Sequence, residues 1–479
     1  MTMASVPAAN GAEALDPRRW AALVVLLTGA FLAPLDFFIV NIAMPSITTG
    51  LGATAADVQF VISGYAVVYA VFLITGGRLG DIFGRKQIFL IGLAGFALAS
   101  ALCGLAWSPF SLIMGRLLQA LAAAAMAPQA LASIHALFPP HERGRALSIY
   151  GVTLGLSSIV GQLLGGALVG ADLGGLGWRL IFLINLPISI AAFAVAIPLL
   201  RETRDGHRPR LDAGGVVLSA MALTAFVLPL IEGREHGWPW WAIATLLSAP
   251  LFAEAFRRYE IGLAGMGGEP LVPIEVFRSP GLLRGLAAIG TLYALAAFFL
   301  TYSIYLQDAL GRTALQAGLA ILPFSLGFLL GSTGSPMAAR RLGSASSSLG
   351  FALSSTGLIA TSQVAAMAPP GAMPPTALMA PSLLLIGLGM GFSIPTMMRV
   401  VVERVEPRRA GLVGGMVNST LQVSAAAGVA VLGGLFYTVL GDRTDPAQVT
   451  HAFCVTLLAI AGCHILGAVL AAGLGRRQS

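Results

Sequence analysis

The chain has 479 residues, 57% of them hydrophobic and only 10% charged, with a formal net charge of +7. A soluble domain carries about 25% charged residues, and a soluble chain of this size divides into cores joined by polar linkers; this sequence does neither. The positive balance would suit nucleic acid, but the basic residues sit in short clusters between apolar runs, which excludes that partner and points to membrane topology.

In chain order, residues 1–17 are Ala-rich and weakly acidic, without the basic stretch of a cleaved signal. Asp16-Pro17 reads as a helix N-cap followed by proline at the first helical position. Apolar runs then recur, many of them about 20 residues long, enough to cross about 30 Å of hydrocarbon. They lie near 20–44, 57–76, 87–106, 110–135, 146–170, 179–199, 213–231, 239–256, 282–307, 315–338, 346–367, 376–402, 411–438 and 450–474. The expected fold class is an all-α polytopic membrane protein with 14 transmembrane helices. Cys103, Cys454 and Cys463 fall inside these runs without metal-ligand spacing, so they are expected to be packing residues.

Of the 28 Lys and Arg residues, Arg179, Arg234, Arg312 and Arg443 fall on one side of this arrangement, and Arg116 and Arg399 lie within spans. The remainder share the opposite side, which the charge rule assigns to the cytoplasm together with both termini. The halves also echo each other. Gly144, Gly161 and Gly166 keep the spacing of Gly411, Gly428 and Gly433, and Gly77, Asp81 and Gly84 keep that of Pro336, Arg340 and Gly343. A six-span unit repeated around two inserted spans fits this pattern, and transporters are often built so.

One acid is well inside a span: Asp36. Asp57, Glu232, Glu254 and Asp308 all fall near span ends. A carboxylate at membrane depth costs about 2.5–3.5 kcal/mol on insertion scales, so it is a functional candidate by default. It suits proton coupling, or alternatively a permanent structural pair with an arginine. Arg116 and Gln119, three residues apart, share a face of the fourth span. A buried Arg116 requires a partner. No GxxxxGK[ST] loop occurs, so uphill transport would draw on an ion gradient and no cofactor is expected.

The stretch Gly77-Arg78-Leu79-Gly80-Asp81-Ile82-Phe83-Gly84-Arg85-Lys86 closely resembles the signature loop of the major facilitator superfamily. Its glycines are expected to permit a tight reversal. The resemblance implies a conformational switch at Gly77, Asp81, Gly84, Arg85 and Lys86, with Asp81 meeting the N-terminus of the thirteenth span near Ala410-Gly411. Leu35-Asp36-Phe37-Phe38-Ile39-Val40-Asn41, Trp178-Arg179 through Asn185-Leu186-Pro187, and Tyr305-Leu306-Gln307 with Gly311 resemble its fourteen-span drug:proton antiporter branch. Gly161-Gln162-Leu163-Leu164-Gly165-Gly166 resembles that branch's fifth-span motif, with Gln162 in place of proline.

This resemblance implies a major facilitator fold: a tail at 1–19, six-helix bundles at 20–200 and 280–474, two inserted helices within 201–279, and a tail at 475–479. It pairs Asp36 with Arg116 for proton coupling, because the first and fourth spans line one cavity in that fold. Asn41, Gln119, Gln162, Tyr293, Phe299, Tyr302, Met390 and Met397 become substrate-binding candidates, though packing serves as well for each. The implied activity is proton-coupled export of lipophilic small molecules across the cytoplasmic (inner) membrane, the alternative being a proton-coupled transporter of one metabolite. The partners expected are the substrate, protons and the lipid bilayer, plus a periplasmic adaptor if the host has two membranes. With one deep acid and two arginines at depth, the substrates expected are neutral, weakly anionic or monocationic.

Overall fold

The computed structural model describes residues 17–202, 210–272, 274–343, 345–402, 410–441 and 445–474. Its fourteen long helices are α1 (Arg19–Leu51), α2 (Ala55–Phe83), α3 (Arg85–Gly104), α4 (Pro109–Leu137), α5 (Pro140–Ala171), α6 (Gly177–Leu199) and α7 (Ala213–Glu235). The series continues with α8 (Trp240–Gly265), α9 (Leu282–Ala309), α10 (Ala314–Leu342), α11 (Ala345–Met367), α12 (Thr376–Val402), α13 (Ala410–Gly428, continuing to Leu440) and α14 (Pro446–Ala472). Thirteen of them are long and apolar enough to cross a membrane. The exception, α8, is diluted by Glu254, Arg257, Arg258 and Glu260 in its second half.

The helix starts follow local chemistry. Thr54, Ser108 and Thr313 close capping boxes on α2, α4 and α10, and Asp445 accepts from the Gln448 amide to start α14. Each cap satisfies orphan amides and contributes about 1 kcal/mol. All four belong to even-numbered helices, which begin at the end with few arginines. The cap expected at Asp16-Pro17 does not start α1. That helix begins at Arg19 with no side-chain cap; Pro17 lies in a turn and Asp16 falls outside the described residues. Arg19 instead forms a two-point ion pair with Glu142 at the start of α5, both contacts 2.8 Å.

Two bundles repeat one packing scheme. In the first, α4 packs on α2 and α3, α3 on α6, and α1 on α5; in the second, α12 packs on α10 and α11, α11 on α14, and α9 on α13. Glycine sets the closest approaches. A Cβ on Gly76 of α2 would lie 2.0 Å from the Ala124 carbonyl oxygen of α4, and one on Gly387 of α12 would lie 1.9 Å from that of Phe324 on α10. Helices lacking a hydrophobic drive between them associate through such small residues. Large apolar side chains such as Leu98, Leu118, Ile190, Leu251, Leu330 and Val469 remain on the outer surface, where only lipid could cover them. Trp107 and Trp240, each 81% exposed, mark the arginine-poor end as aromatic membrane anchors do.

The inserted pair α7 and α8 pack on each other, and α7 lies against both α2 and α13, across the seam between bundles. The bundles themselves meet in the arginine-poor half. There Ser63 donates to the Ala426 carbonyl at 3.2 Å and Gln307 to that of Ile42 at 3.0 Å, while Gly166 faces the Ala314 backbone. On α9 the helix is interrupted by a 3-10 turn at Tyr293–Leu295 and ends in a π turn at Tyr305–Ala309. A second π turn, Val429–Gly433, interrupts α13.

Candidate functional site

Asp36 is fully buried in the first bundle. Its carboxylate receives the guanidinium of Arg116 from α4 through Oδ2. Oδ1 accepts from the side-chain amides of Gln119 at 2.8 Å and Asn185, on α6, at 3.1 Å. Gln119 also donates to the Ser100 hydroxyl of α3 at 2.8 Å and accepts from Arg116 at 2.7 Å. Arg116 reaches α2 as well, donating to the Val61 carbonyl at 3.2 Å and lying 4.2 Å over the Tyr65 ring. Five helices thus converge on one carboxylate.

The electrostatics follow from that enclosure. Removing two opposite charges from water costs several kcal/mol per ion, offset only when the remaining donors and acceptors are satisfied. Here amides, a hydroxyl, a carbonyl and an aromatic face supply that satisfaction. A proton arriving on Asp36 would form an O–H and remove the charge that holds Arg116, while the Gln119 and Asn185 amides could still donate to the other oxygen.

The structure brings Asp36, Arg116 and Gln119 together in one hydrogen-bonded network. Asn185, Ser100 and Tyr65 complete it, and none of the three was assigned a role from sequence. The detectable signal was polarity inside apolar runs, strongest for Asn185, which lies in a quoted motif.

The remaining substrate candidates are spread out. Phe299 of α9 meets Phe38 of α1 edge-on with ring centroids 5.0 Å apart, crossing between bundles, and packs on Phe324 at 5.3 Å. Tyr302 stacks on Phe298 at 5.1 Å and its buried hydroxyl has no hydrogen-bond partner among the described residues. Asn41 is buried one turn beyond Phe37, to whose carbonyl it donates at 2.6 Å, leaving its own amide oxygen without a partner. Gln162 is buried where α5 meets α10, its carbonyl oxygen 2.6 Å from a Cβ placed on Gly318. Tyr293 is half-buried, and Met390 and Met397 are buried on α12. In the second bundle His464 bonds to the Ser354 hydroxyl at 2.8 Å and the Leu292 carbonyl at 3.3 Å.

The signature stretch is not the loop its glycines suggested. Gly77 through Phe83 are the last turns of α2, and Arg85 and Lys86 open α3, so only Gly84 (φ 111°) interrupts the helices. Gly80 is used for proximity: a Cβ there would meet the Gln129 amide at 2.0 Å. Arg85 donates to Asp81 at 3.0 Å and to the Ala132 carbonyl at 3.2 Å. Lys86 donates to the Ile197 carbonyl at 2.6 Å, and Glu202 accepts the Lys86 and Gln87 amides at 3.1 and 3.2 Å, capping α3. Arg78 donates to the carbonyls of Arg210, Glu269 and Pro270. The expected contact of Asp81 with the start of α13 involves side chains at 410–415, which lie outside the described set.

Two packed six-helix bundles, a charge pair sealed in one of them and a glycine-bearing junction between α2 and α3 define a multi-pass helical membrane protein of transporter architecture. The family model of the Major Facilitator Superfamily matches residues 26–429, and the chain belongs to that family. It is 35% identical over 444 residues to a probable actinorhodin transporter of Streptomyces coelicolor, covering 91% of this chain and 76% of the relative. Puromycin resistance protein pur8 of Streptomyces alboniger is 36% identical over 489 residues, covering 98% and 94%. The tetracenomycin C resistance and export protein of Streptomyces glaucescens is 33% identical, covering 90% and 78%. Among solved structures, the POT family transporter PepTSo superposes with a TM-score of 0.68 at 15% identity, covering 95% and 98% of the two chains. That likeness concerns the fold alone.

Proposed function

We propose that this protein exports small toxic molecules across the cytoplasmic membrane in exchange for protons. The observation that carries the reading is the run of relatives, similar along nearly the whole chain, whose names describe antibiotic export or resistance. Each of those names a single compound, which favours a narrow, antibiotic-like substrate range over a broad one. In this reading both termini and the arginine-rich ends of the helices face the cytoplasm, and an adaptor enters only in a two-membrane host.

Asp36 is the proton carrier and Arg116 its counter-charge. With the bundles closed at the arginine-poor end, substrate enters from the cytoplasm. Its binding and the loss of the Asp36 proton favour rocking of the bundles. Protonation from outside releases Arg116 and resets the cycle. Phe38 and Phe299 offer aromatic surface at the seam, suited to a flat, largely apolar ligand.

The test is a compound panel on cells lacking their own efflux pumps, with and without this chain, followed by uptake into everted vesicles. Resistance to one or a few antibiotic-like compounds, with uptake abolished by collapsing the proton gradient, is expected. Unchanged susceptibility and gradient-independent uptake would overturn the proposal.

A further inference from the structure

A second carboxyl pair lies far from Asp36, at the base of the inserted helices. Asp212 sits just before α7, and Glu260 lies on α8 beyond its apolar part, which ends at Phe256. They are 5% and 1% exposed. Asp212 accepts the Gly215 amide at 2.8 Å and the Leu271 amide at 2.9 Å; Glu260 accepts the Val272 amide at 2.7 Å. The two acids therefore hold the segment 269–272, a strap running from α8 toward α9. A Cβ on Gly215 would lie 2.3 Å from Asp212 Oδ2 and 2.3 Å from Glu260 Oε1, so the two oxygens are neighbours in a space that only glycine leaves open. Glu260 Oε1 is buried with no other hydrogen-bond partner among the described residues.

The same strap grips the signature stretch, since Arg78 of α2 donates to the Glu269 and Pro270 carbonyls and to that of Arg210 beside it. Arg210 in turn donates its amide to the Glu269 carboxylate at 3.0 Å. The groups facing the pair are Arg78 from α2, whose charge acts on Glu260, and Tyr259 from α8, which bonds to Asp212.

We propose that Asp212 and Glu260 form a second proton site, whose occupancy sets the grip of the 269–272 strap on Arg78 and thereby tunes the signature stretch to pH on that side. When the proton is present, Glu260 donates an O–H to the Asp212 carboxylate and the pair carries one negative charge. When it leaves to water, two adjacent buried carboxylates repel, and separating them breaks the bonds to Leu271 and Val272. Burial first, and the Asp212 carboxyl next to it, push the Glu260 carboxyl up to about 8, against the pull of the Val272 amide and Arg78. Burial alone would raise Asp212 too, but its bonds to Glu260, Gly215 and Leu271 hold it below the ordinary value, which leaves the proton on Glu260. With the strap open and Glu260 in water its pKa returns to 4.5. The closed strap therefore weakens steadily as pH rises from 4.5 to about 8 and stays weak above that.

Amide hydrogen exchange on the full chain in lipid nanodiscs tests the site without substrate. After correction for intrinsic exchange, protection of the peptide covering 269–272 should fall progressively in the wild type between pH 4.5 and about 8 and level off above it. Glu260→Gln, an amide that still donates to Asp212, should keep it flat. A flat wild-type profile, or an equal fall in Glu260→Gln, overturns the site; the wild-type profile suffices if the variant does not fold. Transport measured while stepping pH on the arginine-rich side alone should change several-fold over the same pH range in the wild type and not in Glu260→Gln. A pH response of equal size in both overturns the link to the switch. Only this last arm rests on the transport reading, so failure of that reading leaves the exchange result standing.

Discussion

The side-chain amide of Asn185 donates to the Asp36 carboxylate at 3.1 Å, tying α6 to α1 at the point where Arg116 also arrives. This bond makes the deep acid a junction of helices as well as a charge. Asp36→Asn is expected to keep the junction, through an amide carbonyl that still accepts, while removing the titrating oxygen. In vesicles it should abolish gradient-driven accumulation yet retain substrate exchange without a gradient. Concentrative uptake at the wild-type rate would refute the coupling role.

Breaking the pair from the other side has a different signature. Arg116→Ala leaves the buried Asp36 charge without its counter-charge, held only by the Gln119 and Asn185 amides, a change that costs about 3–5 kcal/mol in buried pairs. The double variant Asp36→Asn/Arg116→Ala should recover part of that loss in a thermal melt in detergent. If the double variant melts no higher than Arg116→Ala, the buried charge is not what destabilises.

Two glycines of α2 should behave unequally. Gly76→Ala drives a Cβ into the Ala124 backbone, which can yield only by shifting a helix, whereas Gly80→Ala meets the far end of the Gln129 side chain. Overpacking of the first kind costs about 1–3 kcal/mol or more. Fluorescence-detected size exclusion should show a poor monodisperse yield for Gly76→Ala and a near-normal one for Gly80→Ala. Equal yields would mean that α2 and α4 are not in close contact there.

The Arg19–Glu142 pair gives a pH signature. The bond from Arg19, foremost, holds the Glu142 carboxyl below its ordinary 4.5. A depressed carboxyl contributes stability above its unfolded value and loses it as pH falls through the folded one. The tie between α1 and α5 should therefore persist at neutral pH and loosen below about 4.5. Proteolysis near 139–143 in nanodiscs should increase there in the wild type, and Glu142→Gln should show no such step. An acid step surviving in Glu142→Gln would assign it to another group.

Substrate charge supplies the fifth expectation. Because Asp36 is already matched by Arg116, it leaves no surplus negative charge in its surroundings for a second cationic centre. Monocations and neutral compounds should be exported, and dications should not. Equal export of dications and monocations from everted vesicles would contradict this.

Much of the architecture was legible because bilayer thickness imposes a length on apolar runs, a demand any sequence must meet openly. The partnership of Asp36 and Arg116 was legible for a related reason: a guanidinium at depth requires a counter-charge. Asn185 and Ser100 were hidden because a neutral amide or hydroxyl can be satisfied by its own helix backbone, so its presence names no partner. The π turns at Tyr305–Ala309 and Val429–Gly433 were equally hidden, since neither contains a proline to mark it. The stretch 77–86 misled in the opposite direction. Glycine serves both turns and close helix contacts, and three of them in ten residues looked like a loop although two lie within α2.

The single-residue break at Gly84 has a mechanical consequence. With only Gly84 between α2 and α3, and with Glu202 and the Ile197 carbonyl fastening the start of α3 to the end of α6, the three helices are joined at one end. A tilt of α2, whose other end bonds to Ala426 across the seam, must reappear as a swing of α3 and α6. The Asn185 contact to Asp36 rides on that same arm, so the proton site is geared to the motion it is proposed to drive.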